Sequence, residues 1–145
     1  MVTLRSCALW LIAISWTLGG SVFAADDLPG GDLLARLKAK VKEDQPFELL
    51  VRIKLKPGTE EKFAAEAAKV AKATATEPGN EMFVFFEHRE QPGTVILFEK
   101  WKNIAALKSH LEQPHTIPWL KFTGDIGVEA TIGILGPLST PKPAP

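Results

Sequence analysis

Residues 82–98 read Met82-Phe-Val-Phe-Phe-Glu-His-Arg-Glu-Gln-Pro-Gly-Thr-Val-Ile-Leu-Phe98, two short apolar runs on either side of Gln91-Pro92-Gly93. Runs of this length, rich in aromatic and β-branched residues and bounded by turn formers, are strands, and the Pro-Gly pair between them marks a hairpin. Both runs, Met82–Phe86 and Val95–Phe98, are apolar on both alternations. Strands of that kind are covered on both faces.

Toward the N-terminus, the odd positions Phe47, Leu49, Val51, Ile53 and Leu55 are apolar while Glu48, Arg52 and Lys54 interrupt the even ones, so this segment is a strand with one fully buried face. Lys56-Pro57-Gly58 is a turn. Thr59 is placed to cap a helix whose first turn carries Glu60 and Glu61, and whose Phe63, Ala67, Val70 and Ala71 recur at helical spacing before Glu77-Pro78-Gly79-Asn80 stops it. Toward the C-terminus, a helix starts near Asn103, presents Ile104, Leu107, His110 and Leu111 at spacings of three and four, and is broken by Pro114. A short helix through Trp119 to Phe122 and a last strand from Gly127 to Leu135 follow. The order strand, helix, strand, strand, helix, strand is that of a ferredoxin-like α+β fold, with helices on one face of a four-stranded antiparallel sheet. The second sheet face then has nothing of this chain to cover it. A second copy, meeting sheet to sheet in a homodimer, is the simplest cover.

The rest of the 145 residues divides around this unit. Arg5 precedes an apolar stretch from Cys7 to Gly20 and then Ser21-Val22-Phe23-Ala24, the pattern of a signal peptide over residues 1–24 with cleavage after Ala24. That predicts export to the periplasm or the exterior; left uncleaved, the segment is the chain's only membrane contact. Residues 25–46 are a linker and a short amphipathic helix, capped by Asp32, with Leu33, Leu34, Leu37 and Val41 on one side. The domain itself spans 47–136, and 137–145 is a Pro-rich tail expected to be disordered. With 17 Lys+Arg against 17 Asp+Glu and no long basic run, the chain lacks the clustered charge that nucleic-acid binding needs. Its single cysteine excludes an internal disulfide framework and any multi-cysteine metal site.

From Phe47 to about Ile134 the sequence resembles the antibiotic biosynthesis monooxygenase family, which includes quinol monooxygenases. The matching pieces are Lys56-Pro57-Gly58, Glu77-Pro78-Gly79, Phe86-Glu87-His88, Phe98-Glu99-Lys100-Trp101, Leu107-Lys-Ser-His110 and Pro114-His115 ahead of Phe122. The resemblance implies a dimeric α+β barrel with a pocket between sheet and helices. It also implies oxygenation of a phenolic or quinol compound by O₂ without metal or flavin. Two features depart from relatives: the chain has no tyrosine, which the antibiotic-pathway enzymes use, and its first strand has no Asn, which together with His110 at the helical Trp position sets it apart from the haem-degrading members.

A quinol is itself the electron donor to O₂, so such chemistry asks for an apolar cavity, a base for a phenolic proton and groups to hold the anion; no cofactor motif is needed. His110, on the helical face of Leu107 and Leu111, is the candidate base, its ordinary pKa of ~6.5 suiting proton transfer at neutral pH. His88, His115, Trp101 and Trp119 are candidate substrate contacts. Glu99, on the strand face of Leu97 and Trp101, is expected to be a buried-network acid or the group that orients a histidine, since a buried charge needs a partner. His88, His110 and His115 with Glu99 have the residue types of a zinc or iron site but no recognised ligand spacing, and no metal is assigned. The alternative to an enzyme is a non-catalytic dimeric module for a small apolar ligand or partner; haem binding or degradation ranks below both. A cavity reaching His110, as opposed to an interior filled by Phe83, Phe85, Phe86, Trp101 and Trp119, separates the first two.

Overall fold

The computed structural model describes residues 32–137. The expected signal segment, the linker before Asp32 and nearly all of the Pro-rich tail lie outside them. The elements are α1 (Leu33–Lys40), β1 (Phe47–Leu55), α2 (Glu60–Thr74), β2 (Asn80–Glu87), β3 (Thr94–Trp101), α3 (Ile104–Leu111), α4 (Thr116–Ile126) and β4 (Gly127–Leu135). All strand pairs are antiparallel in the order β2-β3-β1-β4, so the first strand after α1 is central and the hairpin partner β2 is an edge. This is the ferredoxin-like α+β topology that the element order implies.

The register assigns the two sheet faces. Leu49 pairs with Glu99 and Ile134, Val51 with Leu97 and Ile132, and Phe83 with Glu99, so these side chains share the face toward the helices. Phe47, Leu49, Val51, Ile53 and Leu55 are buried there against Phe63, Ala67 and Val70 of α2 and Ile104 and Leu107 of α3. On the other face Met82, Val84 and Phe86 of β2 stand exposed, Phe86 to 53%, beside half-buried Ile96 and Phe98 of β3. Among the described residues the helices cover only one side of the sheet, and on the other side the β2–β3 half presents an apolar patch to solvent.

Three local expectations are revised. The strands of the hairpin run one to three residues beyond their apolar cores, because the ladder continues through Asn80 and Glu87 on β2 and through Glu99 to Trp101 on β3. The last helix runs eleven residues, Thr116–Ile126, rather than only from Trp119 to Phe122; Pro118 is accommodated in its first turn, where no intrahelical N–H is needed. Neither Asp32 nor Thr59 caps its helix: Asp32 stands 3.6 Å from Arg36, and the Thr59 hydroxyl donates to the Lys56 carbonyl. Asn103 does cap α3, accepting from the Ala106 amide at 2.9 Å.

The added helix α1 docks on the domain. Leu33 and Leu37 enter the core, α1 packs against α3, and the Arg36 guanidinium donates to the Ile132 carbonyl of β4 at 2.8 Å. Among the described residues no helix is long and apolar enough to cross a membrane.

Candidate active site

A cavity of about 430 Å³ opens between the inner sheet face and α1, α3 and α4, within the size range of small-molecule sites. Its walls are apolar, with Leu49, Val51, Phe83, Leu97, Leu107 and Trp119 contributing, and two buried polar side chains interrupt them: His110 and Glu99.

His110 reaches the cavity because α3 places it one turn beyond Leu107 on the same face. Its Nδ1 lies 2.8 Å from Glu77 Oε1 and 3.3 Å from the Thr116 hydroxyl. Its Nε2 has no hydrogen-bond partner among the described side chains. Burial holds the His110 pKa below its ordinary value, against the opposing hydrogen bond and charge of Glu77, so at neutral pH the ring is neutral. A neutral ring that donates Nδ1–H to a carboxyl keeps its Nε2 lone pair free, which is the arrangement of a carboxylate–histidine base.

Glu77 is the partner that sequence reasoning missed. It stands in the turn after α2, where Glu77-Pro78-Gly79 reads as a helix stop, yet its side chain is only 8% exposed and accepts from both His110 and His115. The turn is held against α3 by Gly79. Its φ is +90°, and a Cβ there would lie 2.6 Å from Ala106 Cβ, so this close approach admits only glycine. The available signal was a carboxyl in a Pro-Gly turn, separated by both strands of the hairpin from a helical histidine and too weak to assign without the fold.

The remaining candidates fall into place around this pair. His115 occupies the N-cap position of α4 and donates Nε2–H to the same Glu77 oxygen at 2.7 Å; it lies behind His110, on a smaller pocket formed with α2 residues Glu66, Lys69 and Val70. Trp119 lines the cavity, edge-on to Phe85 and 5.2 Å from Phe63. Trp101 is fully buried behind the wall, its ring 4.8 Å from the His110 ring and tilted 40° to it. Glu99 orients no histidine: the Trp101 indole donates Nε1–H to its Oε2 at 2.8 Å, and the role expected of Glu99 belongs to Glu77. Burial pushes the Glu99 carboxyl up to about 7, against the Trp101 hydrogen bond. His88 lies past the end of β2 in the hairpin turn and is not brought to the cavity.

Glu77, His110 and His115 offer three ligand-type atoms within 4.8 Å of one another. Their N···O separations of 2.8 and 2.7 Å are hydrogen-bond spacings. Ligands held about 2.0–2.1 Å from a tetrahedral zinc ion stand roughly 3.3 Å apart, so in this conformation the three residues are joined to each other and not spaced around an ion.

The family model for the antibiotic biosynthesis monooxygenase domain matches residues 46–119, from β1 into α4. The chain belongs to that family. Among curated proteins it is 38% identical over 63 residues to the putative monooxygenase YcnE of Bacillus subtilis, covering 43% of this chain and 66% of that one. It is 28% identical over 115 residues to the uncharacterized protein sll1783 of Synechocystis, covering 79% of this chain and 74% of the relative. The solved structure of a putative antibiotic biosynthesis monooxygenase from Nitrosomonas europaea superposes with a TM-score of 0.62 at 22% identity, over 68% of this chain and 96% of that one, which shows a shared fold. The family match begins just before β1, so α1 is an addition to the family domain. Glu77, Glu99, His110 and His115 all fall inside it.

Proposed function

We propose that this chain is an exported, homodimeric monooxygenase that oxidises a quinol or related phenol with O₂ and uses no metal or flavin. The observation that carries the reading is the Glu77–His110 pair, whose free ring nitrogen sits on the wall of an apolar cavity. Hydroquinone shows what the pair has to do. With O₂ it gives hydroxybenzoquinone and water, one oxygen atom going to each product and all four electrons coming from the quinol. Deprotonation makes the ring electron-rich enough to reduce O₂. His110 Nε2 takes the phenolic proton, Glu77 holds the ring in the productive tautomer and stabilises the imidazolium, and Phe83 and Trp119 flank the aromatic substrate in a cavity poor in water.

The interior is not filled by its aromatic residues, which supports an enzyme or ligand-binding role over a purely structural one. The exposed Met82, Val84 and Phe86 support the homodimer, because a second copy of the same face would bury them. The hydrophobic stretch after Arg5 supports export.

The test is oxygen uptake by the purified, chelator-treated protein across a panel of benzo- and naphthoquinols. Uptake above the uncatalysed rate is expected, rising with pH through a titration below 6.5, and reduced 10²-fold or more in His110→Ala, in the range of about 10²–10⁴ for loss of a general base. Background uptake with every quinol overturns the proposal.

A further inference from the structure

We propose that Glu99 is a second ligand-contacting residue, which as a neutral carboxylic acid donates a hydrogen bond to an acceptor oxygen on the bound aromatic while His110 faces its phenolic hydroxyl. The inference rests on the cavity being the substrate site, and adds that its ligand carries two oxygen functions on one ring system.

The geometry singles out one atom. Glu99 is 93% buried in effect, with only 7% of its surface exposed, and lies on the cavity wall. Oε2 is taken by the Trp101 indole at 2.8 Å, whereas Oε1 has no partner among the described residues. Neither is Oε1 sealed in: the fully enclosed, unpartnered side-chain atoms are the hydroxyls of Thr74 and Thr94. An unpartnered oxygen of a buried carboxyl, open only toward an apolar cavity, lacks the hydrogen bond that buried polar groups ordinarily make. The Trp101 indole touches both polar groups, bonding Glu99 through Nε1 and lying 4.8 Å, centroid to centroid, from the tilted His110 ring. Both groups line the same cavity, so both face a ligand held there.

The protonation state follows from the surroundings. Among the described residues no Lys or Arg lies on the cavity wall, and its other titratable residues are His110 of α3 and Glu129 of β4; α1, α4 and β2 contribute none. The Glu129 carboxyl is 61% exposed and pairs with Arg52 on the outer side of the sheet. Burial without a cationic partner holds the Glu99 carboxyl up at about 7, so below neutral pH it is a donor. As an acid it satisfies a ketone, quinone or ether oxygen. Indole Nε1–H donates to Oε2 in either state.

The experiment separates this role from proton abstraction by using ligands that have no acidic proton. Tetralin and 1-tetralone share a two-ring frame and differ by one acceptor oxygen. Their binding is measured by calorimetric titration to the full chain at pH 6 and pH 8.5, for wild type, Glu99→Gln and Glu99→Leu. In wild type at pH 6 the affinity ratio of tetralone to tetralin should exceed that of Glu99→Leu by about tenfold, the value of one buried hydrogen bond. The wild-type ratio should fall toward the Glu99→Leu value at pH 8.5. Glu99→Gln, whose amide accepts from Trp101 and donates to the ligand at every pH, should keep a high ratio throughout, which a merely structural carboxyl would not produce. Equal ratios in all three proteins, with both ligands bound, overturn the role of Glu99 and leave the cavity as the substrate site. Failure of wild type to bind either ligand overturns both. If Glu99→Leu does not fold, a wild-type ratio that falls with pH against a flat one for Glu99→Gln supports the assignment, and two flat profiles overturn it.

Discussion

Replacing Glu99 by Gln should make the pH dependence of stability itself report the buried acid. A carboxyl whose titration is moved from 4.5 to about 7 by burial binds its proton more tightly folded than unfolded. The raised value means that folding gains a proton between those two pH values, so stability falls as pH rises through the folded value of about 7. At about 1.4 kcal/mol per pH unit the full effect is roughly 3 kcal/mol, lost between pH 4.5 and pH 8; relaxation of the cavity or entry of water lowers it. Glutamine keeps an oxygen for the Trp101 indole, 2.8 Å away, and has nothing to ionise. The assay is urea unfolding of both proteins at half-unit steps from pH 4.5 to 8.5, followed by far-UV circular dichroism. The difference in unfolding free energy between them cancels every other titrating group. It should move by about 2–3 kcal/mol in favour of Glu99→Gln as pH rises, half of the change being complete near the mean of the two values, about pH 5.8, with a level difference above about pH 7.5. A difference that stays constant across the range would refute the claim that Glu99 is buried without a cationic partner.

Three further perturbations address other parts of the structure. Gly79→Ala should destabilise more than Gly58→Ala: both positions have positive φ and incur about 1–2 kcal/mol of backbone strain, but only at Gly79 does the new Cβ meet Ala106, at 2.6 Å, and thermal unfolding of the pair isolates that clash. Phe86→Lys should turn a dimer into a monomer by size-exclusion chromatography with light scattering, with the circular dichroism spectrum unchanged, because it sets a charge on the exposed apolar sheet face; a wild type that is already monomeric contradicts the covered-sheet argument. Leu37→Ala, at a position with no exposed surface, should cost about 2–5 kcal/mol by chemical denaturation if α1 is part of the core, and under about 0.5 kcal/mol if it is not.

What the sequence made legible was periodicity. The alternation in Phe47–Leu55, the Pro-Gly turns and the spacing of Phe63, Ala67 and Val70 follow directly from burial on one face, and the structure has those elements where the pattern places them. The apolar outer face of β2 was equally visible, since Met82, Val84 and Phe86 alternate with Phe83 and Phe85. Capping was less legible, because Asp32 and Thr59 each had a competing local partner. In the site, His110 could be aimed inward from its helical spacing. Its carboxyl partner could not: Glu77 and His110 are 33 residues apart and meet only because Gly79 lets a turn press against α3. The same long-range pairing left Glu99 free for the Trp101 indole two residues away, an i, i+2 contact on one strand face that the alternation alone permits but does not require. His88 alternates with Val84 and Phe86, which face away from the helices, so the strand pattern itself takes it off the cavity side.

The central claim is that the His110 side chain draws a proton from a phenolic ligand and commits it to reaction with O₂. Its most direct test is turnover of a quinol under ¹⁸O₂ by the metal-free protein, with mass spectrometry of the hydroxyquinone formed. The account predicts one ¹⁸O atom in the product and the second in water, at a rate that drops about 10²-fold or more in His110→Ala while the unfolding curve of that variant shows an intact fold. A product without label, or a labelled product formed equally fast by His110→Ala, would contradict it.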